Sequence, residues 1–339
     1  MKLLIANRGE VAIRVIRAAS DLGIATVAVY SKDDEGCLHT GKADEAVRLD
    51  GSGPSAYLAS DEIIAIAKVT NCEAIHPGYG FLAENADFAQ ACEEEGIRFV
   101  GPQPQTLLLT RDKLRMRQHA ESLGIGVVDG SPKSVTVEEA ATYLDAQSGS
   151  GIVLKPRFGE GGRGIRIVTS SSEVPNIFEA SKAEAIAAFG SEELIFEELL
   201  SSHRQVEVQI FGEPGGKIHN LGLIDSSLQR SHQKLIDISP CPNLSVELGE
   251  RIGDAAIDIA ESMDYENLGT FEFLVNSQDD SFLFLEVNPR LEVEHPVVEA
   301  TTGIDLVEMQ LLASLGKSVG DFGFDASNNT KLNGYAIQV

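Results

Sequence analysis

The sequence predicts a mixed α/β and α+β fold, with a parallel sheet in the amino-terminal domain and an antiparallel sheet in the carboxy-terminal one. Strands and helices alternate over roughly the first hundred residues, which is typical of a parallel sheet. Residues 151–168 join two strands through a glycine-rich loop. Residues 269–288 alternate in polarity on both sides of a polar turn, which indicates a hairpin. A chain of 339 residues is long enough for two or three such domains.

The composition excludes several classes of protein. No run approaches 18 consecutive apolar residues, so we expect no membrane span and no membrane partner. The apolar run in MKLLIANRGE is too short for a signal peptide. A formal net charge of −25 argues against nucleic acid as a partner. The four cysteines lack CxxC spacing, which argues against zinc or a disulfide framework and fits a reducing cytoplasm.

Repeated βαβ units form the amino-terminal domain, which we expect to end near residue 105. The predicted strands cover 2–6, 24–31, 73–76 and 97–100, and the predicted helices run from Gly9 to about Leu22, over 60–70 and over 84–95. The third strand leads into HPGYGFLAEN at 76–85. Glycine-rich turns of this kind lie at the carboxyl edge of a parallel sheet, where ligands bind.

The middle of the chain carries a glycine loop, RFGEGGRG at 157–164. Before it we predict a helix over 105–122 and a strand over 151–156, and after it a helix over 171–186 and a strand over 193–197. A helix would follow the loop in a dinucleotide-binding site, but GIRIVTS alternates and predicts a strand. The loop is therefore either a hairpin that folds over phosphates or a mobile surface hairpin. Lys155 precedes it, where its charge could reach phosphate oxygens.

The last third of the chain is predicted to be a set of antiparallel strands with two helices. The strands cover 205–212 and 217–225, residues 227–237 form a strand or loop, and the helices cover 246–264 and 303–314. The 227–237 segment brings Gln229, His232 and Lys234 close together. The ending at 331–339 is typical of a strand cut off in mid-run, so we expect the carboxy-terminal domain to be truncated.

The hairpin at 269–296 is the strongest candidate for a site. If it pairs symmetrically about its turn, Glu272 lies opposite Glu286, two carboxylates within about 5 Å. Like charges this close need a proton or a cation between them. Asn288 projects from the same face as Glu286. Two carboxylates and an amide suit Mg²⁺, whereas the alternative is a half-exposed hairpin with a charged tail.

Seven motifs along the chain share a fixed order and spacing with one protein family. They are IANRGE (5–10), HPGYGFLAEN (76–85), DK (112–113), GGRG (161–164), QRSHQK (229–234), GTFEFL (269–274) and FLEVNPRLEVEHP (284–296). With them the chain resembles the biotin carboxylase component of acetyl-CoA, acyl-CoA and pyruvate carboxylases, in the ATP-grasp superfamily. The resemblance covers essentially all of the chain, and the last two motifs make it specific.

The resemblance implies a domain order and an activity. The order is an amino-terminal preATP-grasp domain (1–105), a linker helix (106–128), an ATP-grasp lid with the glycine loop (129–199) and a catalytic domain (200–339). The activity is that of a cytoplasmic ligase that uses ATP and bicarbonate to carboxylate biotin through carboxyphosphate. Mg²⁺, or Mn²⁺ in its place, is the implied cofactor. Biotin is implied as a substrate on a carrier protein or domain, with a carboxyltransferase and a second copy of the chain as further partners.

The resemblance also implies roles for individual residues. Those that match nucleotide contacts are Lys113, Lys155, Gly161, Gly162, Gly164, Glu197, Gln229 and His232. Those that match metal ligands are Glu272, Glu286 and Asn288. Those at the positions of the bicarbonate-holding groups are Lys234, Arg290, Glu292 and Val293, of which Glu292 differs in residue type from the family. Glu294 matches the general base, so that Glu294, Arg290 and Lys234 form the catalytic set. Bicarbonate is a poor nucleophile until it is deprotonated, which is why the family needs a positioned carboxylate.

Several positions depart from the family pattern. Glu292 replaces a glutamine, Gln205 a histidine, Glu198 a lysine and Ser231 an arginine, and the loop begins Arg157-Phe158-Gly159-Glu160 where a run of glycines is usual. The chain stops at Val339, where the family continues with an arginine that anchors biotin, and there is no Met-Lys-Met biotinylation motif. Two hypotheses therefore stand. The first is a biotin carboxylase, or a fragment of one that truncation makes inactive. The second is a nucleotide-binding relative that no longer catalyses carboxylation and serves as a regulatory or assembly subunit.

Overall fold

A computed structural model describes residues 1–146, 151–231, 233–318, 320 and 332–339. The first sheet is parallel, with the strand order β3-β2-β1-β4-β5. Its strands are β1 (Lys2–Ile5), β2 (Ala25–Tyr30), β3 (Glu45–Arg48), β4 (Ala74–His76) and β5 (Arg98–Phe99), and its helices are α1 (Gly9–Asp21), α2 (Ser60–Val69) and α3 (Ala86–Glu94). The predicted parallel domain is confirmed, although β3 was not predicted.

Two short helices connect this sheet to the rest of the chain. They are α4 (Pro104–Arg111) and α5 (Lys113–Ser122), so the prediction of one helix over 105–122 was wrong. The break falls at Asp112, whose backbone is extended. Its carboxylate accepts a hydrogen bond from the Arg115 N–H, as an N-cap residue does. An aspartate that caps a helix therefore separates two segments that propensity alone would join.

A three-stranded antiparallel sheet with order β7-β6-β8 forms the unit that we call the lid. Its strands are β6 (Ile152–Pro156), β7 (Arg166–Val168) and β8 (Leu194–Glu198), and its helices are α6 (Val137–Ala146) and α7 (Val174–Phe189). The glycine loop connects β6 to β7, which confirms the predicted strand–loop–strand arrangement. Helix α6 was not predicted, and it contributes Ala140 and Leu144 to the core of the lid.

The largest sheet is antiparallel, with the order β13-β12-β9-β10-β11-β14 and register shifts in three of its strand pairs. The strands are β9 (His203–Gly212), β10 (Ile218–Arg230), β11 (Gln233–Ser239), β12 (Asn267–Asn276), β13 (Phe282–Asn288) and β14 (Ala336–Gln338). The helices are α8 (Val246–Ser262), α9 (His295–Thr302) and α10 (Leu306–Ser314). The helix predicted over 303–314 is α10, which begins three residues later than predicted, and α9 was not predicted. No helix of the described residues is long and apolar enough to cross a membrane.

Alternation along these strands divides the sheet into an apolar and a polar face. Phe271, Phe273 and Val275 of β12 pack into one core with Val206 and Val208 of β9, as the hairpin pattern predicted. The intervening residues face the opposite side. There the register pairs Glu272 with Glu286 on β13 and with Glu207 on β9, so three carboxylate residues lie in a row across three strands.

Candidate active site

A cavity of about 440 Å³ lies between the lid and the polar face of the large sheet. It gathers most of the side chains that the sequence nominated. The predicted site residues that line it are Lys155, Gly161, Gly162, Glu197, Gln229, Lys234, Glu272, Glu286, Asn288, Arg290, Glu292, Val293 and Glu294. The predicted set therefore converges from the lid and from five strands and loops that are distant in sequence.

Three predicted residues require separate mention. Lys113 lines an adjoining cavity of about 290 Å³, which shares Glu286 and Asn288 with the first. Gly164 does not line either cavity. Its backbone has φ 74°, and a Cβ atom there would lie 2.7 Å from the Pro156 side chain, so glycine at this position allows the backbone conformation of the loop. His232 lies outside the described residues.

Lys234 is the central cation of the site. Its ammonium group lies 2.6 Å from Glu207, 3.0 Å from Glu272 and 2.5 Å from Glu294. Burial favours the neutral amine, but these carboxylates raise the pKa of Lys234 well above its usual value. Burial likewise favours a neutral Glu294, yet the charge of Lys234 outweighs it and lowers the pKa of that carboxyl group. Glu294 is therefore ionised at neutral pH and can accept a proton.

The two carboxylates of the hairpin have opposite environments. Burial raises the pKa of Glu272 to about 7, although Lys234 opposes the shift. The pKa of Glu286 is about 2, because Lys113, which is hydrogen-bonded to it, and Lys155 outweigh the effect of burial. The amide of Asn288 donates to Glu272 over 2.7 Å. Two carboxylates, one of them with a raised pKa, beside an amide fit a divalent cation, which would hold both in the charged form.

Oxygen ligands from this set would fill only part of a magnesium coordination sphere. Within the described ranges, no group of three or more His, Cys, Asp or Glu side chains is arranged to hold a metal ion. The hairpin supplies two carboxylates and one amide, and Mg²⁺ usually completes its octahedron with substrate phosphates and water. The chemistry of the donors therefore fits Mg²⁺ that arrives with a nucleotide rather than a closed structural site.

Arg290 is held by two carboxylates. Its Nε atom lies 2.5 Å from Glu84, and its Nη1 atom lies 2.5 Å from Glu292. These partners raise the pKa of Arg290 despite its burial, and burial raises the pKa of Glu84 to about 7. The Glu292 side chain can face the cavity or pair with Arg290. The carboxylate lines the cavity and pairs with Arg290, so it does both.

Two sets of polar contacts lie where the sequence predicts nucleotide-binding residues. Lys155 pairs with Glu197 across the lid sheet, and both are buried. The Gln229 side-chain amide donates to Oε1 of Gln205 over 2.8 Å, and Nε2 of Gln205 donates to Glu272 over 2.6 Å. Gln205, where the family pattern has a histidine, thus connects a predicted nucleotide contact to a predicted metal ligand.

Sequence reasoning missed two acidic residues of the site. Glu207 is completely buried, contacts Lys234 and has a pKa raised by burial well above the usual value. A signal for it existed: Gln205, Glu207 and Gln209 alternate with apolar residues, and a polar face on a buried strand indicates a site. Glu84 lies within the motif HPGYGFLAEN, but no pattern in the sequence indicates that it contacts Arg290.

Two family models match the chain. Residues 1–107 match the biotin carboxylase N-terminal domain. Residues 112–321 match the ATP-binding domain of the carbamoyl-phosphate synthase L chain. The boundary between them falls at the helices α4 and α5, and the second match includes the cavity-lining residues from Val128 to Glu294.

Curated relatives extend the match over the whole chain. It is 42% identical to the biotin carboxylase of Halalkalibacterium halodurans over 340 residues, which cover 100% of this chain and 74% of that protein. It is 46% identical to the pyruvate carboxylase of Bacillus subtilis over 341 residues, or 99% of this chain. That alignment covers 30% of the enzyme, so the chain spans less than a third of the pyruvate carboxylases that it matches.

Two solved structures with the same fold were determined with nucleotide. The chain superposes with a TM-score of 0.93 and 39% identity on the biotin carboxylase domain dimer of the Hydrogenobacter thermophilus 2-oxoglutarate carboxylase, determined with MgADP, ADP and bicarbonate. That match covers 99% of this chain and 73% of the other. For the biotin carboxylase of Campylobacter jejuni the TM-score is 0.92 at 35% identity, over 99% of this chain and 74% of the other.

Proposed function

The chain belongs to the biotin carboxylase family, and on that premise we propose that it is an ATP-grasp ligase that carboxylates biotin. In this reaction ATP phosphorylates bicarbonate to give ADP and carboxyphosphate, which then transfers its carboxyl group to N1 of biotin and releases phosphate. The observation that carries the proposal is the single cavity in which Lys234, Arg290 and Glu294 meet Glu272, Glu286 and Asn288 beneath the glycine loop.

Proton removal from bicarbonate is assigned to Glu294. Its carboxylate is held in the charged form by Lys234, 2.5 Å away, and so it is ready to accept a proton. Lys234 stays protonated because three carboxylates surround it, and its ammonium group lies beside Glu294, where the deprotonated substrate would form. Arg290 is the second positive group at this end, although Glu84 and Glu292 already pair with it.

Phosphate charge is assigned to the other end of the cavity. Glu272, Glu286 and Asn288 would hold Mg²⁺, which when bound offsets charge on the transferring phosphoryl group. Lys155 and Lys113 bring two further cations to this end, and Gly161 and Gly162 present backbone N–H groups to phosphate oxygens. A lid over these groups excludes water, which would otherwise hydrolyse carboxyphosphate.

The arrangement of sheets supports the domain division that the resemblance implied. We propose domains at 1–105 and 129–199, a linker at 106–128 and a catalytic domain at 200–339. The strands of the three sheets fall within the first, third and last of these ranges. As partners we propose a biotin carrier and a carboxyltransferase, because relatives include whole pyruvate carboxylases, and a second copy of this chain, because a relative was determined as a dimer. ATP dependence and four free cysteines support a cytoplasmic location.

Bicarbonate-dependent ADP release tests the proposal. The purified chain is incubated with MgATP and free biotin, with and without bicarbonate, and ADP is measured. We expect ADP release that needs both Mg²⁺ and bicarbonate. The variant E294Q is isosteric and lacks the base, so its rate should fall by roughly two to four orders of magnitude while MgADP affinity is unchanged.

A different result distinguishes the second candidate function. Glu292 pairs with Arg290 and reduces the positive charge available to bicarbonate, which favours a nucleotide-binding subunit without catalysis. MgADP binding without any bicarbonate-dependent ADP release would support that alternative. Absence of both would overturn the proposal and the alternative together.

A further inference from the structure

Arg157 joins the root of the glycine loop to the linker between the sheets. The residue directly follows β6, and its guanidinium donates to Asp112 through Nε over 2.9 Å and through Nη2 over 2.7 Å. A third hydrogen bond runs from Nη1 to Glu193 over 2.8 Å. Glu193 belongs to the lid, whereas Asp112 lies on the linker outside it. The fork on Asp112 therefore spans the boundary between the lid and the body of the protein.

Backbone contacts reinforce the same junction. The Arg157 N–H donates to the Glu193 carbonyl over 2.9 Å, and the Arg157 carbonyl accepts from the Lys113 N–H over 3.2 Å. The guanidinium also lies over the Phe158 ring, 5.0 Å from its centre. Two-point arginine–carboxylate pairs fix orientation as well as distance. The hydrogen bond to Asp112 is the leading cause that raises the pKa of Arg157, so the arginine stays charged.

The junction leads directly to the phosphate end of the cavity. Asp112 caps α5 and is almost fully buried, and Lys113 is the first residue of that helix. The Lys113 ammonium group is hydrogen-bonded to Glu286, a predicted metal ligand. A continuous chain of contacts thus runs from Arg157 through Asp112 and Lys113 to Glu286.

We propose that Arg157 is a positioning residue that latches the glycine loop to the linker and holds Lys113 in place for the nucleotide phosphates. The inference rests on the proposed function, since it assumes that MgATP occupies the cavity. Arg157 itself lines neither cavity, so it acts through Lys113 and the loop. A loop fixed at its root loses less conformational freedom when nucleotide binds, which favours binding.

The matched control is a second arginine of the lid. Arg166 on β7 pairs with Glu184 over 2.7 Å, and both side chains are exposed. Both also belong to the lid, so this pair does not cross to the linker. The substitution R166G removes the same type of side chain and the same charge as R157G but leaves the junction intact.

Hydrogen exchange and calorimetry test the latch. Exchange is followed in the nucleotide-free protein at the backbone amide of Lys113, which donates a hydrogen bond to the Arg157 carbonyl. We expect R157G to speed its exchange and to raise the MgADP dissociation constant roughly tenfold, as for a lost two-point charged contact. R157K, which can make one contact, should be intermediate, and R166G should match the parent in both measurements.

A second variant keeps the inference testable if R157G does not fold. D112N retains a side chain that can cap α5 but loses the charge that pairs with Arg157. It should therefore reproduce the R157G effects on exchange and MgADP affinity, and the double variant R157G/D112N should show no larger effect than either single variant. A merely structural role would lower the melting temperature without changing exchange at Lys113 or MgADP affinity. That result, or tighter MgADP binding by R157G, would overturn the latch. Failure of the proposed function would show differently, as a parent chain that binds no MgADP or that binds MgADP without bicarbonate-dependent ADP release.

Discussion

Glu292 is the departure from the family pattern with the largest expected effect on catalysis. Its carboxylate lies 2.5 Å from Arg290, and the residue is 6% exposed and lines the cavity. Arg290 also contacts Glu84 at 2.5 Å. Two carboxylates therefore share the arginine that would otherwise attract bicarbonate. The substitution E292Q removes one of these charges while retaining a side chain of the same length that can donate a hydrogen bond.

The magnitude follows from the charges that the structure brings together. A carboxylate about 4 Å from bicarbonate costs about 4 kcal/mol at an effective dielectric constant of roughly 20. Arg290 attracts the same anion with a similar magnitude, so the pair contributes close to nothing. Solvent in a cavity of about 440 Å³ screens both terms. Retaining half of the Coulomb figure, about 2 kcal/mol, we expect E292Q to lower the KM for bicarbonate roughly thirtyfold.

The assay is ADP release at varied bicarbonate, with MgATP saturating and free biotin as acceptor. The KM for ATP should change little, because we propose that the Glu292 end of the cavity holds bicarbonate and the opposite end holds the phosphates. E198Q makes the same charge change at the lid side of the same cavity, and its KM for bicarbonate should stay within about twofold of the parent value. An unchanged bicarbonate dependence in E292Q, or an equal shift in E198Q, would refute the reasoning.

Three further perturbations test the metal set, the polar chain at the nucleotide side and the buried core. E286Q should weaken ADP binding in the presence of Mg²⁺ by about 2 kcal/mol and leave metal-free binding unchanged, as measured by calorimetry. Q205L removes the amide that joins Gln229 to Glu272, so it should raise the KM for ATP about tenfold without affecting bicarbonate. Burial lowers the pKa of His76 from 6.5 to about 3, so the folded protein disfavours the charged imidazole. Below the unfolded-state pKa the unfolded chain binds the extra proton, and at about pH 5 the parent should have lost about 2 kcal/mol more of its unfolding free energy than H76N.

Each of these expectations has a contrary result. Equal ADP affinity with and without Mg²⁺ in the parent chain would contradict the metal assignment. A KM for ATP unaffected by Q205L would show that the polar chain does not position the nucleotide side. If the unfolding free energies of the parent and H76N fell by the same amount between about pH 7 and pH 5, the neutral state of buried His76 would be contradicted.

The elements that could be predicted are those whose signals lie within a short stretch of sequence. The β12–β13 hairpin is one, because the alternation around its turn sets the register, and that register pairs Glu272 with Glu286 as expected. The helix over 105–122 was mispredicted because capping by Asp112 outweighs helix propensity. Helix α9 was missed because its first residues carry the charged motif that had been assigned to the site.

The sequence by itself determined the family, the order of the three sheets along the chain and half of the cavity-lining residues, since these depend on periodicity and on motifs read in order. Only the tertiary structure decided which charges meet. Glu207 on β9 reaches Lys234 on β11 because both strands flank β10, and Glu84 reaches Arg290 across 206 residues. Arg157 donates hydrogen bonds to Asp112 because the lid packs against the linker. Coulomb energy depends on distance in space and on burial, and neither is a function of separation along the chain.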